Sequence, residues 1–246
     1  QKQFHHMVRL VPQNGLIIHP KVKAIEEVLE KGCWSPKVEI GIEEGDWQAL
    51  KVAEDGSIFE VSFRGENQGS IRWSMLGHHN VTNALSAIAA AHHVGIKPEV
   101  AIQALNEFSA PKRRLEYKGS LNNIHVYDDF AHHPTAIQTT LKGLKAKVKG
   151  ARIGVLLDVR SNTMRLGHHK DTLLPSLKDA DLIGIFKSDD IQWPVEAYEG
   201  QREGVKVFKD QATILEWFKR QAKPHDHWVI MSNGSFNLIA TDLLKA

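Results

Sequence analysis

Cysteine is almost absent from the chain: Cys33 stands alone in 246 residues. It can close no disulfide within the chain and suits a reducing compartment, so a cytoplasmic location is expected. No apolar run approaches the roughly 20 residues of a membrane-spanning helix. The N-terminus has no apolar signal-peptide core, and no membrane partner is expected. Charge of one sign is lacking as well. The 31 Lys and Arg nearly balance 29 Asp and Glu, for a net +2, which leaves no footprint for nucleic acid. Missing, too, are a Gly-x-x-x-x-Gly-Lys-[Ser/Thr] P-loop, a Gly-x-Gly-x-x-Gly fingerprint and a Gly-x-Ser-x-Gly elbow. The chain by itself supplies no recognised triphosphate cradle. None of its histidine doublets has His-Glu-x-x-His zinc spacing, and no metal site is expected.

What is present fits an ordinary soluble globular protein, with 42% hydrophobic and 24% charged residues. The chain changes character near Ser109-Ala110-Pro111. Before it, short strands are expected over 16–18, 37–42, 47–52, 58–63 and 70–75, with a helix over 20–31. Phe59, Val61 and Phe63 alternate with Glu60 and Ser62, and Ile71, Trp73 and Met75 with Arg72 and Ser74. Glu54-Asp55-Gly56 reads as a hairpin turn, so this part is expected to be antiparallel sheet with one wet face. Helices should follow over 80–93, stopping at Gly95, and over 98–108. Ala84, Ala87, Ala90 and Ala91 would let the first of them pack closely. After Pro111 the pattern becomes strand–helix repetition. An opening hairpin around Gly119 leads to strands over 153–157, 182–186, 205–208 and 228–231, with a helix over 211–222 capped by Asp210. The fold class expected is α/β. A Rossmann-like, largely parallel sheet with helices on both faces occupies 110–246, preceded by a partial mixed/antiparallel α/β domain over 1–109.

Chemistry concentrates in a few stretches. Asp128-Asp129-Phe130-Ala131-His132-His133-Pro134 lies where a strand over 123–127 ends and a helix over 135–144 begins, the end at which open α/β sheets hold ligands. Its acids could meet a ribose, its acids and imidazoles could hold a metal, or the acids and His133 could cap the helix. Gly77-His78-His79-Asn80-Val81-Thr82-Asn83-Ala84 opens another helix. There Asn80 and Asn83 could match the N6/N7 edge of adenine, or Asn80 could cap while Asn83 is solvated. Lys112-Arg113-Arg114-Leu115-Glu116 could clamp phosphate or guard a sheet edge, with Arg114 and Glu116 on one face. Arg160-Ser161-Asn162-Thr163-Met164-Arg165 follows the strand expected over 153–157. Its arginines could pair carboxylates, or the stretch could be a polar surface loop. Met231-Ser232-Asn233-Gly234-Ser235-Phe236 repeats the arrangement after the last strand, with Ser235 as N-cap of a helix over 236–244.

These stretches, in this order, resemble the Mur ligases. This family uses ATP to join amino acids or peptides to UDP-N-acetylmuramic acid. The likeness rests on the helix opening at residues 77–84, on Arg113-Arg114-Leu115-Glu116 and on residues 128–134, and it covers nearly the whole chain. The loop Arg160-Ser161-Asn162-Thr163-Met164 resembles the branch that ligates the tripeptide L-alanyl-γ-D-glutamyl-meso-diaminopimelate in peptidoglycan recycling, although Asp158-Val159 stands where Glu-Pro is usual. The resemblance implies that residues 1–109 are the latter part of the ATP-binding central domain and 110–246 the C-terminal ligase domain. Since the chain begins with Gln1 rather than Met, it reads as a fragment, inactive alone, with UDP-sugar domain and P-loop upstream. It further implies ATP and Mg²⁺ as cofactors. His79, Asn80 and Asn83 would lie at the adenine, Asp129 at the ribose and Arg114 at the phosphates, with His132 close to the nucleotide and, beside Arg114, catalytic. Arg160, Ser161, Asn162 and Thr163 would take the tripeptide. UDP-N-acetylmuramate is expected to bind mainly upstream. The implied reaction activates the muramic carboxylate as an acyl phosphate, which the peptide amine attacks. Alternatives are a UDP-N-acetylmuramate–L-alanine ligase, a metal-dependent phosphoesterase using Asp129, His132 and His133, and a non-catalytic nucleotide-binding module.

Overall fold

A computed structural model describes residues 1–234, 236 and 239–244. The chain divides into two compact units, the first Gln1–Ser109 and the second starting at Ala110.

The first unit runs α1 (Lys2–Leu10), β1 (Ile17–Pro20), α2 (Lys23–Leu29), β2 (Lys37–Ile42), β3 (Trp47–Leu50), β4 (Ile58–Phe63), β5 (Glu66–Arg72), α3 (His78–His93) and α4 (Pro98–Asn106). Its sheet has the order β1-β2-β3-β4-β5. The expected antiparallel sheet is only half right: β1, β2 and β3 are parallel, and β3, β4 and β5 antiparallel. Pro20 pairs with Ile40 inside β1, so α2 starts later than the sequence suggests. β5 also begins earlier than expected, because Arg64 (φ 48°) and Gly65 (φ 87°) form the turn after β4. Positive φ at both central residues suits the twist of a tight hairpin. One stripe of α3 is buried, Val81, Ala84, Leu85, Ile88 and Ala89. This is the helical spacing of a core-facing side, and it packs on Trp47, Phe59, Val61 and Ile71. Of the small residues expected to pack closely, Ala84 does so, whereas Ala87 and Ala90 face solvent. The helix ends in a Schellman motif. Gly95 N–H donates to the His92 carbonyl and Ile96 N–H to that of Ala91, with Gly95 at φ 89°.

The second unit runs β6 (Glu116–Leu121), β7 (Ile124–Asp129), α5 (Pro134–Val148), β8 (Ile153–Asp158), α6 (Asn162–Arg165), α7 (Lys170–Ser176), β9 (Leu182–Phe186), a 3-10 turn (Val195–Gly200), β10 (Val205–Phe208), α8 (Gln211–Gln221), β11 (His227–Met231) and α9 (Ile239–Leu243). The strand order is β10-β9-β8-β11-β7-β6, parallel except for the β6–β7 hairpin. That hairpin turns at Asn122 (φ 51°) and Asn123 (φ 62°) rather than at Gly119, which instead marks a shift of register. Every residue of β8 is buried, because helices cover both faces. Val155 and Leu157 meet α5 and α7 on one side, and Leu156 meets α8 and α9 on the other. Asp210 caps α8 as expected, accepting the Thr213 N–H at 2.8 Å. The helix expected over 236–244 is described only as α9, and Ser235 lies outside the described residues.

Candidate functional site

In the second unit, the chain leaving β8 goes to the face carrying α7, and the chain leaving β11 goes to the face carrying α9. Neighbouring strands whose exits part in this way leave a crevice at their C-terminal ends, the usual ligand position of such sheets. β7 flanks β11 on its other side, so residues 128–134, 158–165 and 231–234 gather at one end of the sheet.

The acid turn after β7 is built from inside. Asp129 is buried, and its carboxylate accepts the Leu115 N–H at 2.6 Å and the Ala131 N–H at 2.7 Å. Burial pushes its carboxyl above the usual range, and those N–H bonds and the Arg114 charge pull the other way. The helix cap belongs to His133, whose Nδ1 accepts the Thr135 N–H at 3.2 Å; the acids do not cap α5. His132 Nδ1 lies 2.8 Å from the Phe130 carbonyl. A carbonyl only accepts, so Nδ1 carries a proton, which in the neutral ring leaves Nε2 as the acceptor. Among the described residues no group of three or more His, Cys, Asp or Glu is arranged to hold a metal ion.

The two arginines before β6 part company. Arg113 (φ 62°) and Leu115 (φ 48°) break the extended run, so the expected alternation does not hold there. Arg113 turns inward. It donates to the Ser232 carbonyl and, at 3.2 Å, to that of Gly234, and its Nε lies 3.6 Å from the buried Asp128 carboxylate. Arg114 is exposed, with its guanidinium 6.0 Å from the Phe130 ring centre.

After β8, Arg160 is exposed, as are Asn162 and Thr163, while Ser161 is half-buried and donates to the His132 carbonyl at 3.3 Å. Arg165, a possible carboxylate partner from sequence, is engaged within the protein: it pairs with Asp190 and donates to Asn162 Oδ1 at 2.5 Å. Buried Asp158 accepts the Ser232 hydroxyl at 2.8 Å. Desolvation raises its carboxyl, opposed by that bond and by Arg160. In the sequence Arg113 stands out only as part of a basic stretch, and Asp158 and Ser232 carry no role of their own. Only the doubled arginine and the Asn233-Gly234 turn hinted at them.

In the first unit, α3 is anchored by Gly77, whose N–H donates to the Asp55 carbonyl at 2.7 Å. Gly77, not Asn80, is the N-cap. The Asn80 amide donates back to the Leu76 carbonyl at 2.8 Å, and its Oδ1 lies 3.5 Å from the Asn83 amide nitrogen. His79 and Asn83, one turn apart, are exposed.

The second unit is thus a doubly wound α/β domain with basic side chains at its strand ends. Residues 113–234 match the family model "Mur ligase, glutamate ligase domain". The chain is 46% identical over 99% of its length to the UDP-N-acetylmuramate–L-alanyl-γ-D-glutamyl-meso-2,6-diaminoheptandioate ligase of Escherichia coli K12, of which it covers 54%. It is 35% identical over 59% of its length to a UDP-N-acetylmuramate–L-alanine ligase of Caldanaerobacter subterraneus, covering 32% of that protein. A solved murein peptide ligase of Psychrobacter arcticus superposes with a TM-score of 0.75 at 40% identity, with 99% of this chain and 53% of that one covered. This chain belongs to the Mur ligase family. It spans about half the length of the tripeptide ligases it matches.

Proposed function

We propose that this chain is part of an ATP-dependent ligase that joins L-alanyl-γ-D-glutamyl-meso-diaminopimelate to UDP-N-acetylmuramate. The observation that carries this reading is the 46% identity, across 99% of the chain, to a ligase named for that tripeptide. Residues 1–109 would be the latter part of the ATP-binding domain, and 110–246 the ligase domain. Such a protein works in the cytoplasm.

ATP, when bound, supplies the activation of a carboxylate. Arg114 would neutralise phosphate charge, as a solvent-facing guanidinium at a strand-end loop can do bidentately. His132, with Nε2 as its acceptor, would orient a proton-bearing group of the nucleotide. Asp129 would accept a ribose hydroxyl on lone pairs beyond those used by its two N–H bonds. His79, Asn80 and Asn83 would meet the adenine, with Asn83 the most accessible carboxamide. Arg160 would pair a peptide carboxylate, while Ser161, Asn162 and Thr163 bond its amides. ATP chemistry of this kind runs with Mg²⁺. Such an ion is held largely by the phosphates together with one or two carboxylates and waters.

The test is ligation by a full-length enzyme carrying this chain, with UDP-N-acetylmuramate, ATP and either tripeptide or L-alanine. The tripeptide should be used at least tenfold more efficiently, a margin that polar recognition readily supplies. Equal or reversed use would reassign the chain to the L-alanine branch.

A further inference from the structure

The turn after β11 supplies none of the groups proposed to meet ATP or peptide, yet it is held from both sides. Arg113 grips its Ser232 and Gly234 carbonyls. Asp158 accepts the Ser232 hydroxyl, and that hydroxyl oxygen accepts the Gly234 N–H at 2.9 Å. Arg160 then lies directly against Gly234. A Cβ at that position would stand 2.7 Å from Arg160 Cδ and 2.8 Å from both Nε and Nη1. The Arg160 side chain therefore rests where a side chain at 234 would be.

That contact matters because of what an arginine loses when it binds. A solvent-facing arginine gives up much of its rotamer freedom when it is fixed on a ligand. A bidentate clamp on a carboxylate is strong only if the guanidinium plane is already oriented. Here the glycine supplies a flat seat, and the Asp158 carboxylate places negative charge near the root of the same loop. The Asp158–Ser232 bond ties the exit of β8 to the exit of β11, so seat and side chain move together.

We propose that Gly234, Ser232 and Asp158 are positioning residues for Arg160, making the turn after β11 a determinant of specificity for a peptide carboxylate. The proposal rests on the reading of Arg160 as the peptide-binding arginine and adds what aims it.

Gly234→Ala is a favourable test. Gly234 has no positive φ, so alanine fits the backbone, and the atoms it meets belong to a flexible side chain that can swing away. Folding should survive, with a melting temperature within a few degrees of the parent. The experiment is calorimetric titration of the chain with L-alanyl-γ-D-glutamyl-meso-diaminopimelate as a double-mutant cycle: parent, G234A, R160A and G234A/R160A. G234A should weaken binding about tenfold in the parent and less than about twofold when Arg160 is already alanine. S232A and D158N should weaken it in the same Arg160-dependent way, and D158E should recover part of the loss. Unchanged binding by G234A, or an equal loss in both backgrounds, overturns the proposal and leaves the peptide reading standing. Absence of peptide binding by the parent itself sinks the reading and the proposal together.

Discussion

Asp129 shows how much one side chain can organise. Its buried carboxylate joins the segment before β6 to the turn after β7 through the N–H groups of Leu115 and Ala131. Whatever ligand the turn meets, its shape depends on those bonds first. Asp129→Asn keeps the size but turns an acceptor pair into one acceptor and one donor, so one buried N–H loses its partner. The expected cost is about 1–3 kcal/mol, read as a lower urea midpoint with unchanged slope; an unaltered midpoint would show that the turn is held by other means. The neighbouring arginines carry the same lesson. Sequence marks both as basic, and only the positive φ at Arg113 and Leu115 sends Arg113 inward as a brace and leaves Arg114 facing water.

Among the elements, β7 and β11 carry a feature remote from the crevice. His125 of β7 and His227 of β11 are register partners, with their rings stacked 4.6 Å apart. Tyr117 and Tyr127 hydroxyls reach His125 and His227 at 3.2 and 3.0 Å. Burial, then the neighbouring His125, pushes His227 down to about 4 from its ordinary 6.5, with Asp226 opposing. The folded protein therefore holds His227 neutral in a range where the unfolded chain protonates it. As pH falls from 6.5 to about 4 the unfolded state binds the extra proton and stability is lost; below about 4 this loss stops. Discounted for screening at a half-buried site, the loss is on the order of 1–2 kcal/mol. Thermal melts of the parent and of His227→Phe at pH 7 and 5 should show the parent losing more. Parallel slopes would mean that the pair does not govern acid sensitivity.

On the scale of the whole molecule, each unit has its own core. One lies around Trp47, Phe59 and Ile88, and the second unit has one on each face of its sheet. A unit with its own core can in principle fold alone. Residues 110–246, expressed alone, are expected to bind the tripeptide within about threefold of the whole chain's affinity, since Arg160 and its supports all lie in that unit. Loss of binding in a folded 110–246 piece would place part of the peptide site in residues 1–109.

Much of this was legible from local pattern. β2, β4, β9 and β10 lie where apolar runs and turn residues place them, the Gly95 stop and the Asp210 cap are where the chemistry of helix ends predicts, and the ordered motifs are those of a Mur ligase. Such features depend on neighbours within a few residues, and a sequence displays those neighbours directly. The parallel pairing of β1, β2 and β3 was not legible, because alternation reports which face is wet and not which way the next strand runs. Nor was the turn at Asn122 and Asn123, whose positive φ outweighed the more conspicuous Gly119. The sequence by itself determined the element types, the family and the residue types gathered at the strand ends. Only the tertiary structure decided which arginine is a brace and which is free to meet a ligand, and that Gly234 seats Arg160. Those relations join residues more than 70 positions apart, and they exist only once β11 lies between β7 and β8.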